Sequence, residues 1–391
     1  MINVAIIGTG NIAPSHIEGY AAFKDRCKIA ALVDIYPEKA QAIKEKYHLD
    51  ADVYDSHEKL FERDDIHLIS ICTPPYTHAQ ISIDCMNHGL DVLCEKPMAA
   101  SLAECDAMID ARDKTGQRLS IISQNRFRSP IMKLKNLLDQ KVAGRVLHAQ
   151  VDSVWWRGHS YYDLWWRGTW EKEGGGCTLN HAVHHIDMLN WMKGLPVEIT
   201  AIVNNLNHDN AEVEDFSVAI SKYEDGSMST MMSSLVHHGE EQQFIFQCEQ
   251  AKICAPWSVA AFKSRPNGFG EPYPEKQKEI EDYYRTLEDL EYEGHAGQID
   301  NVIRSIENGH KNFLVQAEDG RRTLEYITAV YKSGFSSQKV CLPLEKDDPF
   351  YTVEGIQANV EKFYEKTGSV ENFDPEFITT GNDYSKYNYD K

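Results

Sequence analysis

Ile2-Asn3-Val4-Ala5-Ile6-Ile7-Gly8-Thr9-Gly10-Asn11-Ile12-Ala13 is an apolar run that meets a glycine turn and then opens a helix-like stretch. A bare motif of this kind occurs by chance in many chains, so its placement between a strand and a helix carries the weight. Gly8 suits the tight turn, Gly10 lets backbone approach a pyrophosphate, and Ala13 is small enough for close helix–sheet packing. The helix start at Asn11 and Ile12 offers backbone N–H groups to the phosphates. Asp34 ends the second apolar run, at about the 20-residue spacing the dinucleotide fingerprint requires. Its carboxylate suits the ribose hydroxyls and repels a 2′-phosphate. Ile35 and Tyr36 follow it rather than Arg or Lys, so NAD is favoured over NADP as cofactor.

Outward from the turn, short apolar runs alternate with helix-like stretches. Residues 4–7, 29–33, 68–72, 92–93 and 119–122 read as buried parallel strands, with helices at 12–24, 37–48, 57–63, 78–88 and 101–115. The expected fold class is α/β: an N-terminal Rossmann domain over 1–125, with ligands at the carboxyl ends of its strands. Those ends carry Gly8, Asp34, Thr73-Pro74, Glu95-Lys96-Pro97 and Gln124-Asn125-Arg126.

After about residue 130 the texture changes. A helix at 130–140 leads to a strand at 146–155, an aromatic loop and a helix near 177–193. Period-2 stretches at 199–206, 215–223, 227–235 and 241–249 read as neighbouring antiparallel strands with one covered face. Helices near 296–308 and 317–335 precede 340–344. The expectation for 126–345 is a substrate-binding and oligomerisation α+β domain with a large open, mainly antiparallel sheet. Residues 346–391 read as an extension with one helix, 354–366.

The formal charge of −20 disfavours a nucleic-acid partner. No run of about 18 apolar residues offers a membrane span. Met1 to Ile7 lacks a basic leader and is read as a buried strand, not a signal peptide. Nine cysteines without a C-x-x-C pair, several in apolar runs, read as reduced, packed thiols, with the cytoplasm as default compartment.

Lys96 sits where a lysine reaches the nicotinamide end of a dinucleotide, and its ammonium could orient a substrate hydroxyl. Residues 174–187 read Gly-Gly-Gly-Cys-Thr-Leu-Asn-His-Ala-Val-His-His-Ile-Asp. Asn180 and His184 are four apart, so on one helix they share a face. A neutral imidazole at His184 suits proton transfer from a hydroxyl. His181, His184, His185 and Asp187 also have metal-compatible spacing, but no other liganding pair accompanies them and no metal is expected. Five of the seven tryptophans lie between 155 and 170, with Tyr161, Tyr162, Arg157 and Arg167 interleaved. Aromatic faces with nearby guanidinium groups suit a sugar, and Trp166 and Arg167 are the favoured binding pair.

In order along residues 2 to about 344, these segments resemble the Gfo/Idh/MocA family of sugar and inositol oxidoreductases. The match includes the glycine turn, Thr73-Pro74 with His78, Glu95-Lys96-Pro97 and the 174–187 block. The resemblance implies that Lys96 and His184 lie at the substrate, with His184 as acid/base and Lys96 orienting the oxygen. It implies a cis Lys96–Pro97 peptide. Thr73, Pro74, His78, Glu95 and Lys96 are expected with the cofactor, Asn125 and Arg126 at the end of the sixth strand could contact cofactor or substrate, Asn180 can hydrogen-bond a substrate hydroxyl, and His181 is expected to line the pocket or pack. Asn180 stands where the family often has aspartate, so the acid/base role falls on His184 alone. Ala182 replaces a frequent glycine.

The expected activity is NAD-dependent hydride transfer at a ring hydroxyl or ketone of a sugar, glycoside or cyclitol. The alternatives are an NAD-dependent glycosidase working by transient oxidation and elimination, and a non-catalytic dinucleotide-binding sensor. Family members associate through the open sheet, so a homodimer or homotetramer is expected.

Overall fold

The computed structural model describes residues 1–310 and 312–371. Residues 372–391 of the expected 346–391 extension lie outside them. The described chain forms two compact units, one built from Met1–Ser129, Leu290–Glu325 and Glu345–Ile356, the other from Pro130–Asp289, Tyr326–Leu344 and Gln357 onward.

In the first unit the chain runs β1 (Ile2–Ile7), α1 (Ala13–Ala21), β2 (Cys27–Val33), α2 (Pro37–Lys46), β3 (Asp52–Tyr54), β4 (Leu68–Ile71), α3 (His78–Asn87), β5 (Asp91–Cys94), α4 (Leu102–Thr115) and β6 (Leu119–Ile121). The strands form one parallel sheet in the order β3-β2-β1-β4-β5-β6, the dinucleotide-binding arrangement expected from the glycine turn. Val4, Ile6, Leu32, Leu68, Ile69 and Leu93 are almost wholly buried, because both faces of the sheet are covered. Helix starts and stops follow local chemistry. Ser101 accepts the Glu104 N–H at the start of α4, and Gly116 closes that helix in a left-handed conformation at φ 73°. The stretch expected as a helix at 57–63 is a 3-10 turn over His57–Glu62.

The second unit holds α5 (Ser129–Asp139), β7 (Val146–Val154), α6 (Cys177–Asn180), α7 (Val183–Lys193), β8 (Glu198–Asn204), β9 (Phe216–Lys222), β10 (Met228–Ser234), β11 (Gln242–Cys248), β12 (Ala251–Ala255), β13 (Ser258–Ser264), β14 (Gly270–Pro272) and α8 (Pro274–Thr286). Among the described residues its sheet has nine strands, ordered β14-β13-β12-β11-β7-β10-β9-β8-β15 with β15 at Val340–Cys341. The sheet is mostly antiparallel, but β7 and β10 pair in parallel from Met228 opposite His148 to Ser234 opposite Val154. Alternation is strict where one face is covered: in β8 Ile199, Ala201 and Val203 are buried while Thr200 and Ile202 are exposed. Strands β12 to β14 and helix α8 were not legible in the period-2 pattern. The Ala255–Pro256 turn interrupts it, and Ile280 is the one buried side chain of α8.

The remaining helices are α9 (Gly294–Glu307), α10 (Ala317–Ser336) and α11 (Val353–Asn359). A boundary drawn along the sequence at 125 and 345 puts α9 in the second unit, whereas it packs in the first. An added Cβ at Gly19 of α1 would lie 2.5 Å from Ile299 Cδ1, so the two helices meet at a glycine. Ile299, Val302 and Ile303 complete the apolar cluster around β1 and α1. The segment 345–356 returns to the same unit, where Tyr351 is buried and donates its hydroxyl to Asp106 at 2.7 Å. The helix expected at 354–366 spans only Val353–Asn359. No helix among the described residues is long and apolar enough to cross a membrane. All nine cysteines are unbridged and eight are buried.

Candidate active site

The glycine turn lies between β1 and α1. Gly8 has φ +91°, and a Cβ there would sit 2.7 Å from the Cys72 carbonyl oxygen, so both conformation and space demand glycine. At Gly10 a Cβ would meet nothing within 4 Å, leaving open space above the turn. Asn11 and Ile12 lead into α1, whose first turn carries no acidic side chain. Asp34, just past β2, accepts the Thr9 backbone N–H at 2.8 Å and the Thr9 hydroxyl at 2.7 Å through Oδ2. Its Oδ1 accepts the Tyr36 N–H at 3.0 Å. The residues fit a dinucleotide: an open cradle at a positive helix end, and a carboxylate held in one orientation beside it.

Three other segments end neighbouring strands of the same sheet. Thr73-Pro74 follows β4, Glu95-Lys96-Pro97 follows β5, and Gln124–Arg126 form a 3-10 turn after β6. The Lys96–Pro97 peptide is cis. His78 is fully buried, with Nδ1 2.8 Å from the Pro97 carbonyl and Nε2 2.8 Å from the Thr73 carbonyl, so it ties two of these segments together. Glu95 is also buried, with Oε1 3.0 Å from His16 Nε2 and 3.5 Å from His295 Nε2. Burial alone would push this carboxyl up, but the two imidazoles outweigh it and hold the group well below the usual carboxylate range. Burial pushes His16 down, against its bond to Glu95, which raises it. Gln124 Oε1 and Asn125 Oδ1 are buried with no hydrogen-bond partner among the described residues. Arg126 is buried as well, its Nη2 3.4 Å from Asp319.

In the second unit, the glycine run at 174–176 has a packing cause. A Cβ on Gly176 would lie 1.7 Å from the Glu214 carbonyl oxygen, and one on Gly175 2.2 Å from the Tyr331 hydroxyl. Glu214 accepts the Gly176 N–H at 2.9 Å, the Thr178 N–H at 3.0 Å and the Tyr331 hydroxyl at 3.0 Å. The expected single helix over 177–193 is instead two: α6 ends at Asn180 and α7 begins at Val183, across a turn at His181-Ala182. Asn180 and His184 therefore belong to different helices, and their spacing of four does not place them on one helical face. Asn180 Nδ2 donates to the Gly175 carbonyl at 3.1 Å. His184 is half-buried in the first turn of α7. His181 packs edge-on to Trp155 at 5.6 Å with its Nε2 3.4 Å from the Tyr161 hydroxyl, and buried His185 stacks on Phe244 at 5.4 Å.

The tryptophan cluster divides. Trp155 and Trp170 are core residues at 5% and 4% exposure, whereas Trp156 is 45% exposed. Trp170 packs edge-on against Tyr331 and Phe335. The Arg167 guanidinium lies between the rings of Trp166 and Tyr161, 4.4 and 4.2 Å from their centroids. Behind it is buried Glu173, which accepts the Gly168 N–H at 2.6 Å and whose pKa burial raises to about 7, Arg167 opposing.

Sequence reasoning did not single out His16, His295, Glu173 or Glu214. The partners of His16, His295 and Glu214 lie tens to hundreds of residues away, and Glu173 is tied to Arg167 and Gly168 only by the fold of the loop between them. Among the described residues, the side-chain nitrogens of His16 and His295 and a Glu95 carboxylate oxygen lie within 4.8 Å of one another.

Comparison with known proteins places this geometry. Residues 2–123 match the model of an oxidoreductase family with an NAD-binding Rossmann fold, and residues 131–254 match the GFO/IDH/MocA C-terminal domain. A 2,7-anhydro-N-acetylneuraminate hydratase of Mediterraneibacter gnavus is 26% identical over 299 residues, 75% of this chain and 78% of that protein. An inositol 2-dehydrogenase of Salmonella paratyphi B is 29% identical over 147 residues, 37% of this chain and 44% of that protein. Among solved structures, the WlbA dehydrogenase of Chromobacterium violaceum, in complex with NADH and UDP-GlcNAcA, is 28% identical with a TM-score of 0.75. That likeness covers 88% of this chain and 96% of the other.

Proposed function

The chain belongs to the Gfo/Idh/MocA oxidoreductase family, and on that premise we propose that it moves hydride between NAD and a ring hydroxyl or ketone of a sugar, glycoside or cyclitol. One observation carries the reading: Lys96 follows β5, beside the β4 end at Thr73-Pro74 and one strand further from the β1 end at the glycine turn. When bound, the nicotinamide ring supplies the hydride acceptor or donor. The protein's own groups handle the oxygen. The Lys96 ammonium donates a hydrogen bond to the substrate oxygen and stabilises negative charge that develops there. His184 takes the hydroxyl proton as the carbon–hydrogen bond breaks, leaving a ketone, and returns it in reduction. Asp34 holds the ribose diol. Trp166 and Tyr161, stiffened by the guanidinium between them, present aromatic surface to the sugar's C–H face, with Asn180, His181 and Arg126 reading hydroxyls.

The similarity to a hydratase favours a second reading, in which oxidation is transient and elimination or water addition follows at the neighbouring carbon. One assay separates them. Purified protein is incubated with NAD and a panel of sugars, cyclitols and glycosides, while NADH absorbance and released products are followed together. Net NADH formation matched by a keto product supports the dehydrogenase; product without net NADH supports the second reading. A Lys96→Ala variant that binds NAD normally yet keeps full turnover would overturn both.

A further inference from the structure

We propose that His16, Glu95 and His295 form a buried charge clamp that fixes Lys96 at the end of β5, which makes Glu95 a positioning residue for the lysine. The inference rests on the hydride-transfer reading of Lys96 given above.

Three segments far apart in sequence supply the clamp within the first unit. His16 comes from α1, six residues past Gly10; Glu95 follows β5; His295 lies in the first turn of α9. His16 Nε2 is 3.0 Å from Glu95 Oε1, a hydrogen-bond length, and His295 Nε2 approaches the same oxygen at 3.5 Å. His16 is anchored in turn: its Nδ1 is 3.2 Å from the Ser70 hydroxyl, which is 2.7 Å from the Tyr20 hydroxyl. A carboxylate this deeply buried is costly unless donors surround it. Here the His16 imidazole and the Lys96 backbone N–H supply them, with His295 Nε2 in ion-pair range of Oε1 but outside hydrogen-bond geometry.

The other carboxylate oxygen acts on the lysine itself. Glu95 Oε2 accepts the Lys96 backbone N–H at 3.2 Å. On the far side, His78 holds the Pro97 carbonyl at 2.8 Å. Both residues flanking Lys96 are thus gripped by buried imidazoles, so its backbone has little freedom at the strand end. Because α1 begins directly after the glycine turn, the His16–Glu95 bond also links the dinucleotide cradle to the lysine's strand. A ligand-orienting shell of this type is as sensitive to substitution as the groups it orients.

Glu95→Gln is the discriminating variant. The amide keeps the shape but offers one acceptor oxygen, and its N–H₂ faces a second N–H donor, so the clamp opens. Glu95, grouped with the cofactor by resemblance, is buried with its oxygens on His16 and the Lys96 N–H, so NAD affinity by fluorescence titration and sugar KM should stay within about threefold of the parent, while kcat falls about 10- to 100-fold. Amide exchange over residues 94–98 should quicken by about tenfold or more. His16→Gln retains a donor toward Glu95 and should restore most of kcat, whereas His16→Leu should behave as Glu95→Gln does. Melting temperature and NAD affinity identify any variant that has lost its fold.

Unchanged kcat and unchanged exchange in Glu95→Gln would overturn the clamp. So would an NAD affinity that weakens in step with kcat, which would make Glu95 a cofactor ligand. Stoichiometric zinc in the purified protein, lost in His295→Leu, would replace the clamp by a metal site on the same atoms. If the parent protein turns over no sugar, the hydride-transfer reading fails, and amide exchange alone still decides the clamp.

Discussion

Thr178 donates its backbone N–H to Glu214 Oε1 at 3.0 Å, joining the start of α6 to a strand lead 36 residues later. Glu214 Oε2 takes the Gly176 N–H, and the Tyr331 hydroxyl closes the set. One buried carboxylate therefore holds the loop and helix start that precede Asn180 and His184. Replacing Glu214 by Gln turns one acceptor into a donor facing a backbone N–H. The expected cost is about 1–3 kcal/mol of stability, read as a lowered urea midpoint. NAD affinity, a property of the other unit, should be unchanged. An unaltered midpoint would show that the carboxylate is not holding this loop.

Asp34 is aimed by three donors from Thr9 and Tyr36 rather than left to rotate in solvent. Asp34→Ala removes the diol acceptor and the charge that repels a 2′-phosphate. NAD affinity should fall about 10- to 100-fold, in line with about 1.5–3 kcal/mol for hydrogen bonds to a charged group. NADP affinity should fall much less, so their ratio moves toward NADP. Isothermal titration of both cofactors into both proteins checks this, and a constant ratio refutes it.

Glu173 gives stability a definite pH slope. Its pKa rises from 4.5 unfolded to about 7 folded, because burial disfavours the charged form. Between those values the unfolded chain releases a proton that the folded chain keeps, so stability falls as pH rises and flattens above about 7. The contribution is on the order of 3 kcal/mol. The difference between parent and Glu173→Gln in chemical denaturation, followed from pH 4.5 to pH 7, should shrink or change sign by that order. A difference independent of pH would refute the assignment.

The first unit was largely legible in sequence because its signals are local. Gly8, Gly10 and Asp34 announce themselves through a turn, a helix start and a strand end. In the second unit, α5, β7 and the strands β8 to β11, where one sheet face is covered, were legible. What sequence reasoning missed depends on distant partners. Helix α9 joins α1 through Ile299 against Gly19, and Glu95 meets His16 and His295 across the whole of the first unit. The break between α6 and α7 was hidden because residues 177–193 contain neither Gly nor Pro. The glycines that shape the block precede it and answer to Glu214 and Tyr331.

The uncovered face of the second sheet carries Ile202 and Ile220 at 67% and 49% exposure on adjacent strands, with Met228 on the next. Exposed apolar groups on three neighbouring strands suit an association surface. We expect a homodimer or homotetramer joined through this face. Ile220→Lys should shift the sedimentation coefficient toward that of a monomer while NAD affinity is unchanged. A parent protein that sediments as a monomer at micromolar concentration would exclude the assembly.

Trp166 and Trp170 separate binding from packing within one aromatic segment. Trp170 is 4% exposed, its ring set edge-on to Tyr331 and Phe335 and its Nε1 donating to the Glu212 carbonyl at 3.2 Å. Its removal opens a cavity and takes away one of the two donors to the Glu212 carbonyl, so Trp170→Ala should cost about 3–5 kcal/mol of stability. Trp166 instead faces the Arg167 guanidinium from the loop, half-buried and stacked rather than enclosed. Trp166→Ala should leave stability within about 1 kcal/mol. It should raise sugar KM by about 10-fold, the loss of one aromatic face against a pyranose. Paired denaturation and kinetic measurements on the two variants decide the matter. If Trp166→Ala destabilises the fold as much as Trp170→Ala and leaves KM unchanged, the aromatic segment is a structural wall and the sugar is recognised elsewhere.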